Sequence, residues 1–223
     1  MLTVVIKNDG EPSVVGLTYQ NLWKELKDIP DAELIVAEDW FDTLPRVKTP
    51  YVCFVESDCL VNSGYFTSMV GLYKKSRMLR KLAMLSSSTG VNNWANKFYG
   101  YSIKKEWTGE PPLEVKQPFV QPNKEMKSRG VYPVQIGYVP GALIHVKMLR
   151  ALLDHGDFDG RLDHDLVQLS AKISLGFWRQ GDGNRVHINP NSTYVTTESY
   201  VNDLGKFDSK PGELMGMFER EII

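Results

Sequence analysis

Two carboxylates one residue apart, Glu56-Ser57-Asp58, directly follow the apolar run Tyr51-Val52-Cys53-Phe54-Val55. A second acidic pair, Glu38-Asp39, follows the apolar run Leu34-Ile35-Val36-Ala37. Ionised carboxylates are costly to place in a desolvated crevice. A divalent cation holding a diphosphate offsets that cost, because hard cations take oxygen ligands and Mg²⁺ is often bound by one or two carboxylates plus phosphates. The alternative is a solvated strand-to-helix turn with no chemical role. His187, in Arg185-Val186-His187-Ile188-Asn189-Pro190, is a further candidate, since imidazole is a common metal ligand. Its alternative role is that of a half-buried histidine hydrogen-bonded within a strand.

These acids need elements that bring them to one edge. Leu2–Ile6 reads as a short buried strand, and Val15, Tyr19, Leu22 and Leu26 recur on one helical face with Ser13 as N-cap. Leu34–Ala37 and Tyr51–Val55 read as further buried strands. A helix capped by Asn62 or Ser63 then carries Phe66, Met69, Val70 and Tyr73 inside, with Lys74, Lys75 and Arg77 on a solvated face. Leu82–Leu85 is a fourth strand. Such alternation implies an α/β protein with a doubly wound, mostly parallel sheet covered on both faces. In such sheets ligands bind beyond the carboxyl ends of the strands, where both acid pairs fall.

From Asn92 to Tyr132 the periodicity dissolves into loops with an edge hairpin. This stretch holds Trp94, Tyr99, Tyr101 and Trp107 together with several lysines, and aromatic faces stack on sugars or bases. Order returns at Val134–Val139 and Ala142–Val146, followed by a helical Met148–Leu153. A last helix is expected from about Asp163 to Leu175, with Leu162, Leu166, Leu169 and Ile173 on one face and Gly176 as its stop.

The blocks together resemble a nucleotide-sugar glycosyltransferase of the GT-A fold, family 2-like. TPYVCFVESDCLVNSGYF, residues 49–66, resembles the strand bearing that family's DxD motif, with Glu56 in place of the first Asp. LIVAEDWFDT, residues 34–43, resembles the second strand and its nucleoside-contacting turn. YVPGALIHVKMLRALLDHGDFDG, residues 138–160, resembles the strand and helix leading to a "GGFDE"-like turn. HDLVQLSAKISLGF, residues 164–177, resembles the "ED…LxxRLxxxGY" acceptor-side helix. The chain departs from the pattern at Lys7-Asn8-Asp9-Gly10, where the family has "PTYNR", and in the shortened segment 42–48. It departs again at His164 in place of Glu, and at Ala171 in place of Arg.

The resemblance implies a Rossmann-like mixed sheet and a single glycosyltransferase domain over residues 1–223. Residues 1–90 would bind the nucleotide-sugar and residues 91–223 the acceptor. It implies Mn²⁺ or Mg²⁺ as cofactor, with Asp58 as direct ligand and Glu56 on the ribose or the metal's waters. Asn8, Glu38 and Asp39 would complete the donor site, and His187 would be the late metal ligand found in some GT-A enzymes. Asp165 would be the general base of an inverting transfer to an acceptor hydroxyl, with Asp163, otherwise an N-cap, as the alternative. Trp94, Tyr99 and Trp107 would lie on the acceptor side.

Bulk properties agree with a folded enzyme and exclude little else. The chain has 223 residues, is 42% hydrophobic, and carries 26 basic and 27 acidic residues for a net charge of −1, so bulk charge points to neither nucleic acid nor membrane. No apolar run reaches the roughly 18–20 residues of a membrane span, and the opening MLTVVIKND lacks the pattern of a signal peptide. Cys53 and Cys59 flank the third strand, and six extended residues span roughly 20 Å. That exceeds the roughly 7 Å reach of a disulfide, so both are read as free thiols of a reducing, cytoplasmic setting.

Sugar nucleotidyltransferases share the topology but open with a Gly-rich basic loop, which Lys7-Asn8-Asp9-Gly10 lacks. Two other readings stay open: a glycosyltransferase acting on hydroxylated bases of phage-type DNA, and a degenerate module that binds a nucleotide or glycan without catalysis.

Overall fold

A computed structural model describes residues 1–79, 82–91, 97–103, 120–123, 130–154, 166–179 and 193–203. The first half alternates as expected: β1 (Leu2–Lys7), α1 (Pro12–Leu26), β2 (Ala32–Ala37), a 3₁₀ turn (Phe41–Thr43), β3 (Tyr51–Val55), β4 (Cys59–Val61) and α2 (Tyr65–Leu79). Then come β5 (Met84–Val91), β6 (Lys97–Phe98), β7 (Tyr101–Ile103), β8 (Val120–Pro122), β9 (Val131–Pro133), β10 (Leu143–His145), α3 (Val146–Asp154), α4 (Leu166–Arg179) and β11 (Thr193–Asp203).

The main sheet runs β2-β1-β3-β10-β5-β11-β4, with β6 on β5 and β9 on β11. β1 pairs parallel with β2 and β3, and β11 pairs parallel with β5, while β10 is antiparallel to both β3 and β5. β2, β1, β3, β5 and β11 therefore share one direction, and their carboxyl ends share one edge.

Strand alternation sorts the core into two layers. Leu2, Val4 and Ile6 of β1 and Cys53 and Val55 of β3 pack with Leu22 and Leu26 of α1 and Phe66, Met69 and Tyr73 of α2. Val5, Val52 and Phe54 face the other way, onto Leu149 and Leu152 of α3 and Leu169 and Ile173 of α4. The sheet is thus covered on both faces.

Several expectations need correction. α1 starts at Pro12 with Glu11 at the N-cap position and no side-chain cap, so Ser13 lies inside the helix. Proline's fixed φ suits the first helical turn, which explains the earlier start. Thr18, not Tyr19, joins the buried face, and Tyr19 is exposed and stacked on Trp23 at 6.3 Å. β2 is half-exposed because it is the sheet's edge strand. The fourth strand begins at Met84 and continues through Ser86, Ser87, Ser88 and Thr89, which are buried although polar. α4 continues through Gly176 to Arg179, so this glycine is no stop. In the segment read as loops with an edge hairpin, β6 joins the main sheet and β7 pairs antiparallel with β8 as a separate ladder.

Cys53 lies inside β3 and Cys59 opens β4, so they do not flank the strand. Both are buried and free. Burial raises the Cys53 thiol well above its ordinary pKa.

Candidate functional site

The carboxyl ends of β1, β2 and β3 meet around the Glu56-Ser57-Asp58 turn. Here β3 ends and the chain reverses through a hydrogen bond from Cys59 N to Glu56 O (3.4 Å) into β4. β4 is a strand the sequence reading did not anticipate; three residues are too few for periodicity to show. Its pairing with β11 sets Cys59 opposite Asp203 and Leu60 opposite Asn202.

The turn is enclosed. Glu56 is 9% exposed, Ser57 1% and Asp58 5%, so the solvated-turn alternative does not describe it. One ligand atom each from Glu56, Asp58 and Cys59 lies within 4.8 Å of the others. Two ionised carboxylates at that separation repel by on the order of 3 kcal/mol at an effective dielectric constant of about 20. A divalent cation between them turns repulsion into coordination. The oxygen donors of Glu56 and Asp58 suit a hard cation, while the Cys59 sulfur is a softer donor. The acidic pair therefore fits a divalent metal.

Neighbouring loops hold this turn. The Ser57 hydroxyl donates to Asp9 Oδ1 (2.9 Å), and the Thr18 hydroxyl of α1 donates to Ser57 O (2.7 Å). Lys7 Nζ lies 3.2 Å from Asp9 Oδ2 and 5.9 Å from the centre of the Trp40 ring. Trp40, 4% exposed, donates its indole N–H to Val55 O (3.2 Å) and stacks on Phe54 at 5.4 Å. Lys7, Asp9, Ser57 and Trp40 belong to the site, and sequence reasoning passed over them as functional candidates. Trp40 stands among Glu38, Asp39 and Asp42, a context that concealed a buried indole tying β2's end to β3's.

Of the expected donor residues, Asn8, Glu38, Asp39, Glu56 and Asp58 all lie at this edge. Asn8 is exposed and donates its backbone N–H to Ala37 O (2.7 Å). Glu38 is exposed. Asp39 is half-buried, and its Oδ1 accepts the N–H of Phe41, the first residue of the 3₁₀ turn (2.7 Å). That turn opens the short connection from β2 to β3. It is held from the far side by Arg150 of α3, whose Nη2 donates to Leu44 O and Val47 O at 2.6 Å each.

Across the sheet, Gly141 N donates to Phe54 O (2.7 Å) and the Tyr65 hydroxyl donates to Gly141 O (2.5 Å). Tyr65 is fully buried, and desolvation chiefly raises its pKa far above the usual phenol range, so it serves as a neutral donor. Tyr99 is half-buried. Its backbone N–H donates to Asn123 O (2.8 Å) and its carbonyl accepts from Asn123 Nδ2 (3.2 Å). Asp163, Asp165, His187, Trp94 and Trp107 lie outside the described residues.

The sequence matches no protein-family model and no curated protein. Its structure is similar to that of S. aureus TarS 1–349 in complex with UDP-GlcNAc, with a TM-score of 0.52 at 14% identity. The match covers 99% of this chain and 66% of that one, so the chain spans just under two thirds of TarS 1–349. The fold is GT-A-like. A second structure of TarS 1–349 scores 0.48 at 13% identity, covering 99% of this chain and 65% of the other. At this identity the likeness concerns the backbone arrangement. Among the described residues, no helix is long and apolar enough to cross a membrane.

Proposed function

We propose that this chain is a metal-dependent glycosyltransferase that moves a sugar from a nucleotide-diphosphate donor to an acceptor hydroxyl. The observation that carries the reading is the buried Glu56–Asp58 pair at the carboxyl edge of a GT-A-like sheet. The bound UDP-GlcNAc of TarS, on a similar fold, supports a nucleotide-sugar donor. In this reading residues 1–90 bind the donor and residues 91–223 the acceptor, within a single domain working in the cytoplasm.

Asp58 would hold Mn²⁺ or Mg²⁺, with Glu56 beside it and His187 as a late ligand. When bound, the cation neutralises charge on the departing diphosphate. Asn8, Glu38 and Asp39 contact the nucleoside. The Asp165 carboxylate takes the acceptor's hydroxyl proton. The freed oxygen forms a bond to the anomeric carbon as the bond from that carbon to the diphosphate oxygen breaks. The nucleoside diphosphate leaves with the electron pair, and the configuration inverts. Trp94, Tyr99 and Trp107 shape the acceptor side, where a saccharide is the expected occupant.

A panel of nucleotide-sugars, melted with the protein with and without Mn²⁺, tests the reading. A donor at 100 times its Kd stabilises by about 2.7 kcal/mol, which is roughly 5–10 °C in Tm for a chain of this size. The shift is expected only with Mn²⁺. It should vanish in Asp58→Asn, which keeps the shape and loses the charge, and shrink in Glu56→Gln. An Asp58→Asn variant that binds donor as the parent does overturns the metal-site assignment.

A further inference from the structure

Ser57 lies between the two acids of the proposed metal site. It is 1% exposed, and it is held from three directions. Its hydroxyl donates to Asp9 Oδ1 at 2.9 Å. Its carbonyl accepts the buried Thr18 hydroxyl at 2.7 Å. Gly10 presses against it so closely that a Cβ there would stand 2.6 Å from Ser57 Oγ and 3.0 Å from Ser57 Cβ. Asp9 is oriented in turn by Lys7, 3.2 Å from its second carboxylate oxygen, and Lys7 lies over the Trp40 ring. A chain of contacts therefore runs from the end of β2 through the end of β1 to the turn that ends β3.

We propose that Asp9, acting through the Ser57 hydroxyl, is a positioning residue that sets the geometry of the Glu56/Asp58 metal site. The inference rests on the functional reading above, which supplies the metal. The physical argument is local. A three-residue turn carrying two mutually repelling carboxylates splays them apart unless its backbone is fixed. Glu56 and Asp58 flank Ser57, so rotation of the Ser57 peptide planes moves both carboxylates at once. The Asp9 and Thr18 bonds restrain that rotation from opposite ends of the residue, one at the side chain and one at the carbonyl. Gly10 is the residue type that lets the β1 loop approach near enough for Asp9 to reach. The segment Lys7-Asn8-Asp9-Gly10, which departs from the resembled family's pattern, thereby has a role of its own: it braces the metal turn from the neighbouring strand. Partners that orient metal ligands typically matter about 10- to 100-fold in metal affinity.

The test is Mn²⁺ binding to the metal-free protein, followed by the electron paramagnetic resonance signal of free Mn²⁺, with thermal melting in the absence of metal as a parallel readout. Ser57→Ala and Asp9→Ala are each expected to weaken Mn²⁺ binding about tenfold while the metal-free Tm moves little. The double variant should be no weaker than either single variant, because both remove the same bond. Asp9→Asn keeps an acceptor oxygen for the Ser57 hydroxyl and loses the charge, so it should bind Mn²⁺ nearly as the parent does. Asp9→Asn as weak as Asp9→Ala would mean that the charge acts at long range, and it overturns the positioning role. Parental affinity in Ser57→Ala, alongside lost binding in Asp58→Asn, also overturns it and leaves the metal site standing. A parent protein that takes up no Mn²⁺ overturns both readings.

Discussion

At the scale of single residues, the proposed chemistry divides between the Glu56/Asp58 metal site and a general base. A general base is worth about 10²–10⁴ in rate. Asp165→Asn is therefore expected to lower the initial rate of transfer by that factor while the donor-induced rise in Tm persists. Asp163→Asn should leave the rate near the parental value, because Asn serves as well as Asp at a helix N-cap. The reverse order of severity assigns the base to Asp163. Equal, mild losses point to a retaining mechanism without a protein base. The acids at 56 and 58 stood out in the sequence because charge after an apolar run is conspicuous. Ser57 and Asp9 did not, since a serine between acids and an aspartate before glycine read as turn residues, and only their 2.9 Å contact across 48 positions reveals the link.

At the scale of elements, glycines separate positions that need the residue from positions that tolerate it. Gly100, between β6 and β7, has φ +68°, and a Cβ there would stand 2.5 Å from the backbone oxygen of Ile136. That oxygen accepts the Tyr101 N–H at 2.7 Å, and Ile136 N–H donates back to Tyr101 O at 3.1 Å, so the neighbour cannot retreat without breaking the bridge. Gly71 sits within α2 with nothing within 4 Å of a built Cβ. Urea denaturation should find Gly100→Ala destabilised by about 1–3 kcal/mol, from left-handed strain and overlap. Gly71→Ala should be stabilised by about 0.5–1 kcal/mol, from helix propensity. A Gly100→Ala protein as stable as the parent would show that the bridge to Ile136 is dispensable.

At the scale of the whole molecule, β10 is the strand that joins the two halves of the sheet, wedged antiparallel between β3 and β5. His145 closes it. Its ring meets Tyr51 edge-on at 6.0 Å, its backbone N–H donates to Ala83 O, and its Nδ1 is buried with no hydrogen-bond partner among the described residues. Burial first, then the nearby Arg77 and Lys147 charges, lowers its pKa below the ordinary 6.5. The unfolded chain then binds the proton more readily than the native state does. This contribution to stability is fully present above about pH 6.5 and is lost as pH falls from there through the lower native value. Melting curves from pH 8 to pH 5 should show a steeper acid-side fall in Tm for the parent than for His145→Asn. Parallel curves for the two proteins would remove His145 from the account of acid sensitivity.

The sequence by itself determined the parallel course of the first three strands and the place of the acidic pair. Continuous apolar runs such as Tyr51–Val55 read as buried strands, and the residues after them fall at the edge where α/β sheets bind ligands. It also determined that Phe66, Met69 and Tyr73 face the core while Lys74, Lys75 and Arg77 do not, because helical periodicity is local. Tertiary structure alone decided what depends on pairing across long separations. The exposure of β2 follows from its edge position, and the polar run Ser86–Thr89 is a buried strand because β11 pairs along it and β6 joins it at Thr89. β4 exists because β11 supplies its partner. The bracing of Ser57 by Asp9 and Thr18 arises where three strand ends converge. Hydrogen bonds of this kind join residues whose spacing along the chain carries no period, so no local pattern encodes them, and they appear only when the sheet brings its strands into register.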